Sequence, residues 1–84
     1  MSVVPMRFVY VLQSMRDPAK RYVGRTSDVA QRLAAHNSGG SIHTAFGRPW
    51  QLSVVIQFRT EELAINFEKY LKSGSGRGFA KAHF

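Results

Sequence analysis

The chain reads as an α+β domain with its elements in the order β-β-α-β-α and a short third helix at the end. Two observations carry that reading. Three segments are rich in β-branched and aromatic residues, and two others open on helix-capping residues. The 84 residues make one domain, 1–84, with no room for a second. A chain of this size buries roughly 60–65% of its unfolded surface, so its core must be economical.

Residues 7–13 form the first expected strand. Phe8, Tyr10 and Leu12 share one face and Val9 and Val11 the other, the pattern of a central strand covered on both sides. Asp17-Pro18 marks a polar turn, and residues 21–25 form a second strand close enough to pair antiparallel with the first. Asp28 then caps a helix, with Gln31 three residues on in a capping-box position. Val29, Leu33 and His36 make its stripe, and residues 37–40 end it. Residues 38–50 read as loop, broken by Gly39, Gly40, Gly47 and Pro49.

In residues 52–58, Leu52, Val54, Ile56 and Phe58 alternate with Ser53, Val55 and Gln57, which predicts a third strand. Thr60 caps the next helix, and Glu61 and Glu62 stand in its first turn, where the helix dipole favours anions. Leu63, Phe67, Tyr70 and Leu71 form the expected buried stripe, and Gly74 lies past the C-terminus. Residues 75–78 are expected to be flexible and 79–84 to form the last helix, with no internal repeat in the chain.

Twelve Lys and Arg against five Asp and Glu give a net charge of +7. Such an imbalance points to a polyanionic partner, the alternative being a basic protein with no specific partner. The basic residues are scattered rather than gathered on one amphipathic helix, which argues against a membrane surface. No cysteine is present, which excludes disulfides, thiolate zinc sites and a catalytic thiol, and suits a reducing cytoplasm. Residues 1–6 have neither a basic start nor a long apolar run, so no signal peptide is expected. Every apolar stretch is far shorter than the roughly 20 residues that span a bilayer. The expectation is a soluble, cytoplasmic protein.

The five acids sort by elimination. Asp17 sits in a turn, Asp28 caps a helix, and Glu61 and Glu62 occupy a helix start. Glu68 is left, either as an i,i+4 partner of Lys72 worth about 0.3–0.5 kcal/mol or as a functional carboxylate. Two-metal phosphodiester hydrolysis needs several carboxylates around ions roughly 3.5–4 Å apart, and this chain cannot easily supply them. Mg²⁺ accepts one or two carboxylates and keeps its waters. A nuclease built from these parts uses one metal ion and a base other than Asp or Glu.

Tyr10 and Tyr22 are candidates for that base, with His36 as rival. A free phenol titrates near 10, and nearby cations lower that value. Either tyrosine fits plain core packing as well. Arg32 and His36 lie one turn apart on one helical face, where a guanidinium can grip two phosphate oxygens. The alternative is a solvated Arg beside a partly buried His. His43 and His83 lack metal-ligand spacing with His36, and neither a P-loop nor a Ser-His-Asp arrangement is present. Arg7, Arg25, Arg48, Lys69, Lys72, Arg77 and Lys81 are expected phosphate contacts. Phe46 and Trp50 can stack on bases, or Trp50 can anchor its loop in the core.

In this order the parts resemble the GIY-YIG nuclease domain over nearly the whole chain, above all its small stand-alone members and the N-terminal nuclease domain of UvrC. Phe8-Val9-Tyr10 stands at the first motif and Tyr22-Val23-Gly24-Arg25-Thr26 at the second. Arg32 and His36 match the following helix, and His36-Asn37-Ser38-Gly39, His43-Thr44 and Arg48-Pro49-Trp50 match the loop of the stand-alone group. Residues 64–72, centred on Glu68-Lys69, match the helix that supplies the metal ligand.

The resemblance implies a three-stranded, mainly antiparallel sheet flanked by helices and a metal-dependent endonuclease acting on DNA. By that analogy Tyr10 orients or deprotonates the attacking water with help from His36, and Tyr22 binds at the scissile phosphate. Arg32 stabilises the developing charge, and Glu68 holds one divalent ion, Mg²⁺ or Mn²⁺. Arg25, Thr26, His43, Arg48, Lys69, Lys72 and Arg77 are the expected nucleic-acid contacts. Two departures stand out. Phe8 replaces the glycine of the first motif, and Ser73-Gly74-Ser75-Gly76 stands where some members carry Asn. Target choice then rests on substrate shape, self-association or another protein, and nothing in the residues separates DNA from RNA. The competing expectation is a basic nucleic-acid-binding module that has lost cutting.

Overall fold

The structure, a computed structural model, describes residues 4–84. Residues 1–3, the start of the segment read above for a signal peptide and of the expected domain, lie outside the described residues. Strands β1 (Phe8–Ser14), β2 (Arg21–Thr26) and β3 (Trp50–Gln57) form one antiparallel sheet in the order β2-β1-β3. Helices α1 (Val29–Asn37), α2 (Glu61–Leu71) and α3 (Gly74–His83) flank it, and a 3₁₀ turn covers Ala45–Gly47. The expected α+β architecture is met, with a longer third helix.

β1 is central, and Val9, Tyr10, Val11 and Leu12 are buried on its two faces, while Phe8 at its start is half-buried. Tyr10 and Leu12 pack with Trp50, Tyr22, Leu33 and Val55 on the α1 side. Val9 and Val11 pack with Ala64, Leu71 and Ala80 on the side of α2 and α3. The sheet thus separates two small apolar layers.

β3 departs from simple alternation. Val11 pairs with Val54 but Leu12 with Leu52, so Ser53 is an extra residue at a β-bulge. The bulge shifts the phase by one residue, which exchanges faces. Trp50 and Leu52 therefore belong with Leu12, while Val54 and Ile56 belong with Val9 and Val11. The predicted single face from Leu52 to Phe58 is split, and Leu52 is left 41% exposed.

Asp28 caps α1 by accepting from the Gln31 N–H. The reciprocal half of a capping box is absent, because the Asp28 N–H donates to Thr26 Oγ1 instead. Thr60 caps α2 in the same way, accepting from Leu63 N–H. The buried seam of α2 runs through Ala64, Phe67, Glu68 and Leu71, at the i, i+3, i+4, i+7 spacing. Leu63 and Tyr70, expected in that seam, are 40% and 41% exposed. Each lies one position before a seam residue, so the helix turns it to the rim, while the small Ala64 sits against the strands.

Gly74 starts α3 rather than closing α2, and residues 75–78 are helical rather than flexible. Ser73 supplies the cap by accepting from Gly76 N–H. A Cβ at Gly76 would collide with the Tyr70 carbonyl, so glycine there lets α3 start pressed against the end of α2. That contact offsets the helix-propensity cost of about 1 kcal/mol per glycine. Among the described residues no helix is long and apolar enough to cross a membrane.

Candidate active site

Tyr10 stands at the middle of β1, opposite Gly24 of β2. Its hydroxyl occupies the space that a side chain at position 24 would fill. His36, in the last turn of α1, is fully buried against it, with Tyr10 Oη 3.0 Å from Nε2. The other ring nitrogen, Nδ1, lies 2.7 Å from Thr44 Oγ1. Thr44 Oγ1 in turn donates to the Ser41 carbonyl at 3.4 Å.

That last bond sets the direction of the chain. A Thr44 hydroxyl whose hydrogen points at Ser41 accepts from His36 Nδ1–H, which leaves Nε2 to accept from the Tyr10 O–H. Burial, reinforced by the Arg32 charge, holds His36 below the usual imidazole range, in keeping with a neutral ring. Burial pushes the Tyr10 phenol up, and the nearby Arg32 guanidinium opposes this without reversing it. Tyr10 is therefore a protonated phenol at neutral pH.

The loop after α1 is shaped to deliver Thr44. Asn37 clamps the Trp50 backbone by donating to its carbonyl at 3.0 Å and accepting its N–H at 2.6 Å. Trp50 Nε1–H donates to the Thr44 carbonyl at 2.7 Å. Trp50 is thus the loop's core anchor, whereas Phe46 is exposed with Lys20 4.4 Å above its ring.

Tyr22 is half-buried, its ring centroid 4.7 Å from His36 and 6.2 Å from Tyr10. No hydrogen bond engages its hydroxyl among those of the described residues. Arg32, one turn before His36, acts on both Tyr10 and His36. Four of the predicted residues therefore meet on the α1 face. Tyr10 and His36 are sealed beneath it, and Tyr22 is the ring that solvent reaches.

Glu68 approaches from the other layer. It sits on α2 behind the edge strand, where Arg25 Nε lies 3.3 Å from Oε1 and Lys72 Nζ 2.9 Å from Oε2. Arg25 also reaches Glu61 at 3.0 Å, and Glu61 accepts from Met6 N–H. The i,i+4 pair with Lys72 is present, but it is one arm of a larger cluster. Glu68 still lies within electrostatic reach of Tyr10, whose phenol its charge helps to raise.

Among the described residues no three His, Cys, Asp or Glu gather as a metal cluster. A hard divalent ion that keeps its waters needs only one or two carboxylates. Glu68, with its side chain 19% exposed, fits that modest demand if the ion shares its oxygens with Arg25 and Lys72.

The expected nucleic-acid contacts divide. His43, Arg48, Lys69, Lys72 and Arg77 are exposed. Arg25 is held between Glu61 and Glu68, and Thr26 is buried with its hydroxyl bonded to the Asp28 backbone. Thr44 and Asn37 were missed as site-building residues. A buried histidine demands a second partner, but an eight-residue gap across an aperiodic loop gives no sign of which residue supplies it.

A family model described as the GIY-YIG catalytic domain matches residues 6–81. The chain belongs to the GIY-YIG family. It is 42% identical to the structure-specific endonuclease subunit SLX1 of Scheffersomyces stipitis, over 79% of this chain and 22% of that protein. The slx1 subunit of Talaromyces marneffei is 37% identical over 70% of this chain and 17% of its own length. A UPF0213 protein of Streptococcus pneumoniae is 39% identical, over 77% of this chain and 65% of its own. The chain thus spans about a fifth of the SLX1 proteins it matches. None of these three is a UvrC subunit. No solved structure matches significantly.

The two segments expected to be the family's motifs lie on neighbouring strands, and β1–β2 pairing brings Tyr10 and Tyr22 to one face with ring centroids 6.2 Å apart. Phe8 in place of the motif glycine leaves this pairing intact, opposite Thr26.

Proposed function

We infer that this GIY-YIG domain hydrolyses phosphodiester bonds in DNA with one divalent ion and a tyrosine-assisted water. The observation that carries this reading is the buried Tyr10–His36–Thr44 chain with the tilted Tyr22 ring packed beside it and Arg32 close by. It is a hydrogen-bonded proton path ending at the Tyr10 phenol, with a second phenol and a guanidinium beside it. The naming of the SLX1 relatives as structure-specific endonuclease subunits supports DNA of particular shape as substrate and a protein partner for targeting.

In this mechanism Tyr22, with its hydroxyl uncommitted, meets the attacking water and the phosphate. Tyr10 lies behind it with oxygen lone pairs available. Once bound substrate has opened the α1 face to Tyr10, the water oxygen bonds to phosphorus, its proton passes to Tyr10 Oη and the phenol's own proton moves to His36 Nε2. Thr44 holds the ring by accepting from Nδ1–H. His36, held below its usual range, keeps that proton only briefly and returns it to Tyr10 Oη as the phenol passes its own proton to the departing oxygen. Arg32 balances the charge gathering on the non-bridging oxygens as the bond to the leaving oxygen breaks. Glu68 would hold the divalent ion, which when bound supplies positive charge for the phosphate and the departing oxygen.

The test is cleavage of supercoiled plasmid and of flap, fork and nicked oligonucleotides, with Mg²⁺ or Mn²⁺ and with chelator. Glu68→Gln should lower cutting by orders of magnitude and spare DNA binding. A second reading, a silent basic binding module, is favoured by the sealing of Tyr10 and His36 and by the pairing of both Glu68 oxygens with cations. Salt-sensitive DNA binding with no nicking under any metal would establish it and end the first.

A further inference from the structure

A half-open groove of about 760 Å³ lies on the α3 side of β2, between the turn at Pro18-Ala19 and α3. Its floor is apolar, made by Val11, Val23, Leu71 and Ala80. Its rim carries four cations, Arg21, Lys72, Arg77 and Lys81, and no carboxylate lines it. Arg21 braces the rim by donating to the Ala80 carbonyl at 2.8 Å.

Arg77 and Lys81 are exposed and four residues apart on α3, which contains no acidic residue. Neither makes an ion pair among those of the described residues. Like charges one helical turn apart repel each other, and an anion seated between them reverses that. The groove also touches the candidate active site at two points. Tyr22 borders it while its tilted ring packs against His36, and Lys72 on its rim holds Glu68.

The rim suits phosphates and the floor suits an apolar ring. A duplex presents phosphates but keeps its bases stacked inside, so it would leave the floor empty. An unpaired strand offers both, as in sites that combine a cationic track with surfaces for single bases. We propose that this groove binds an unpaired nucleic-acid strand, with phosphates on Arg77, Lys81 and Lys72 and a base against Val23 and Ala80. The proposal rests on the nuclease reading and narrows its substrate to DNA in which a single strand leaves a duplex.

The test measures anisotropy of a labelled dT dodecamer and of a blunt duplex of equal length, without divalent metal, over a range of salt. The double variant Arg77→Ala/Lys81→Ala should bind the dodecamer about tenfold more weakly, with the log–log salt slope reduced by about 1.4. Duplex affinity should fall less than about threefold. Ala19→Trp, at an exposed turn, narrows the groove without changing charge and should weaken dodecamer binding at unchanged slope. Far-UV circular dichroism checks that each variant is folded.

Equal losses on both nucleic acids, or a dodecamer affinity unmoved by both variants, would overturn the proposal. So would displacement of the dodecamer by hexaglutamate at equal concentration, which assigns the groove to an acidic peptide. Parallel cleavage assays separate the two readings. A protein that binds through the groove yet never cuts defeats the nuclease alone. One that cuts while the variants bind normally defeats the groove alone.

Discussion

Thr44→Val tests the buried chain with little change in shape. Valine replaces a hydroxyl by a methyl at a fully buried position, so packing is nearly conserved and the hydrogen bonds are not. His36 Nδ1–H loses its acceptor at 2.7 Å, and the Ser41 carbonyl loses a long bond at 3.4 Å. Moving the proton to Nε2 gives no rescue. Nδ1 would then face a methyl with its lone pair, and the Tyr10 hydroxyl hydrogen would lose its acceptor. At least one buried polar group is unsatisfied in either tautomer, at a cost of about 1–3 kcal/mol. For a domain of this size each kcal/mol moves Tm by about 4–8 °C, so the variant should melt roughly 5–20 °C lower. The assay is thermal unfolding followed by circular dichroism, with Thr44→Ser as the control that keeps the hydroxyl. Cleavage should fall in the valine variant and recover in the serine variant. A valine variant melting within about 2 °C of wild type would show that the hydroxyl is not the histidine's partner.

Gly24→Ala places a methyl where the Tyr10 hydroxyl now sits, so it should displace the phenol from His36 and remove most cleavage. A variant with wild-type kcat would refute that geometry. Gly76→Ala drives a Cβ into the Tyr70 carbonyl and should destabilise by about 1–3 kcal/mol, measured by urea unfolding, despite alanine's better helix propensity. The pH dependence has a defined sign. His36 is depressed in the native state, so below about pH 6.5 the unfolded chain takes up a proton that the buried ring refuses. Its contribution is complete above about pH 6.5 and is lost as pH falls further, and His36→Gln should flatten that limb of the stability profile. Tyr10 is raised, so its contribution is intact below about pH 10 and is lost as pH climbs beyond it.

Several elements were legible because the signal lay in neighbouring residues. The alternating faces of Phe8 to Leu12 announced a covered central strand, and Asp28 and Thr60 announced two helix starts. Arg32 and His36 were placed on one face by the geometry of a single turn. Family resemblance then attached roles to Tyr10, Tyr22 and Glu68 that spacing alone left open. The helix α3 was read too short because Gly74, Gly76 and Gly78 signal a break. What makes those glycines helical is the serine cap and the Tyr70 carbonyl, a contact between elements.

Local periodicity and charge decided that this chain would be a small basic α+β domain with its phenols, guanidinium and imidazole on adjoining elements. Three-dimensional packing alone decided three further things. The bulge at Ser53 sends Leu52 and Val54 to opposite faces, Thr44 orients His36, and Glu68 stands behind β2 in the grip of Arg25. Each depends on which groups meet across gaps of eight to more than forty residues. Such meetings follow from how the layers close on one another, and no run of neighbouring side chains encodes them.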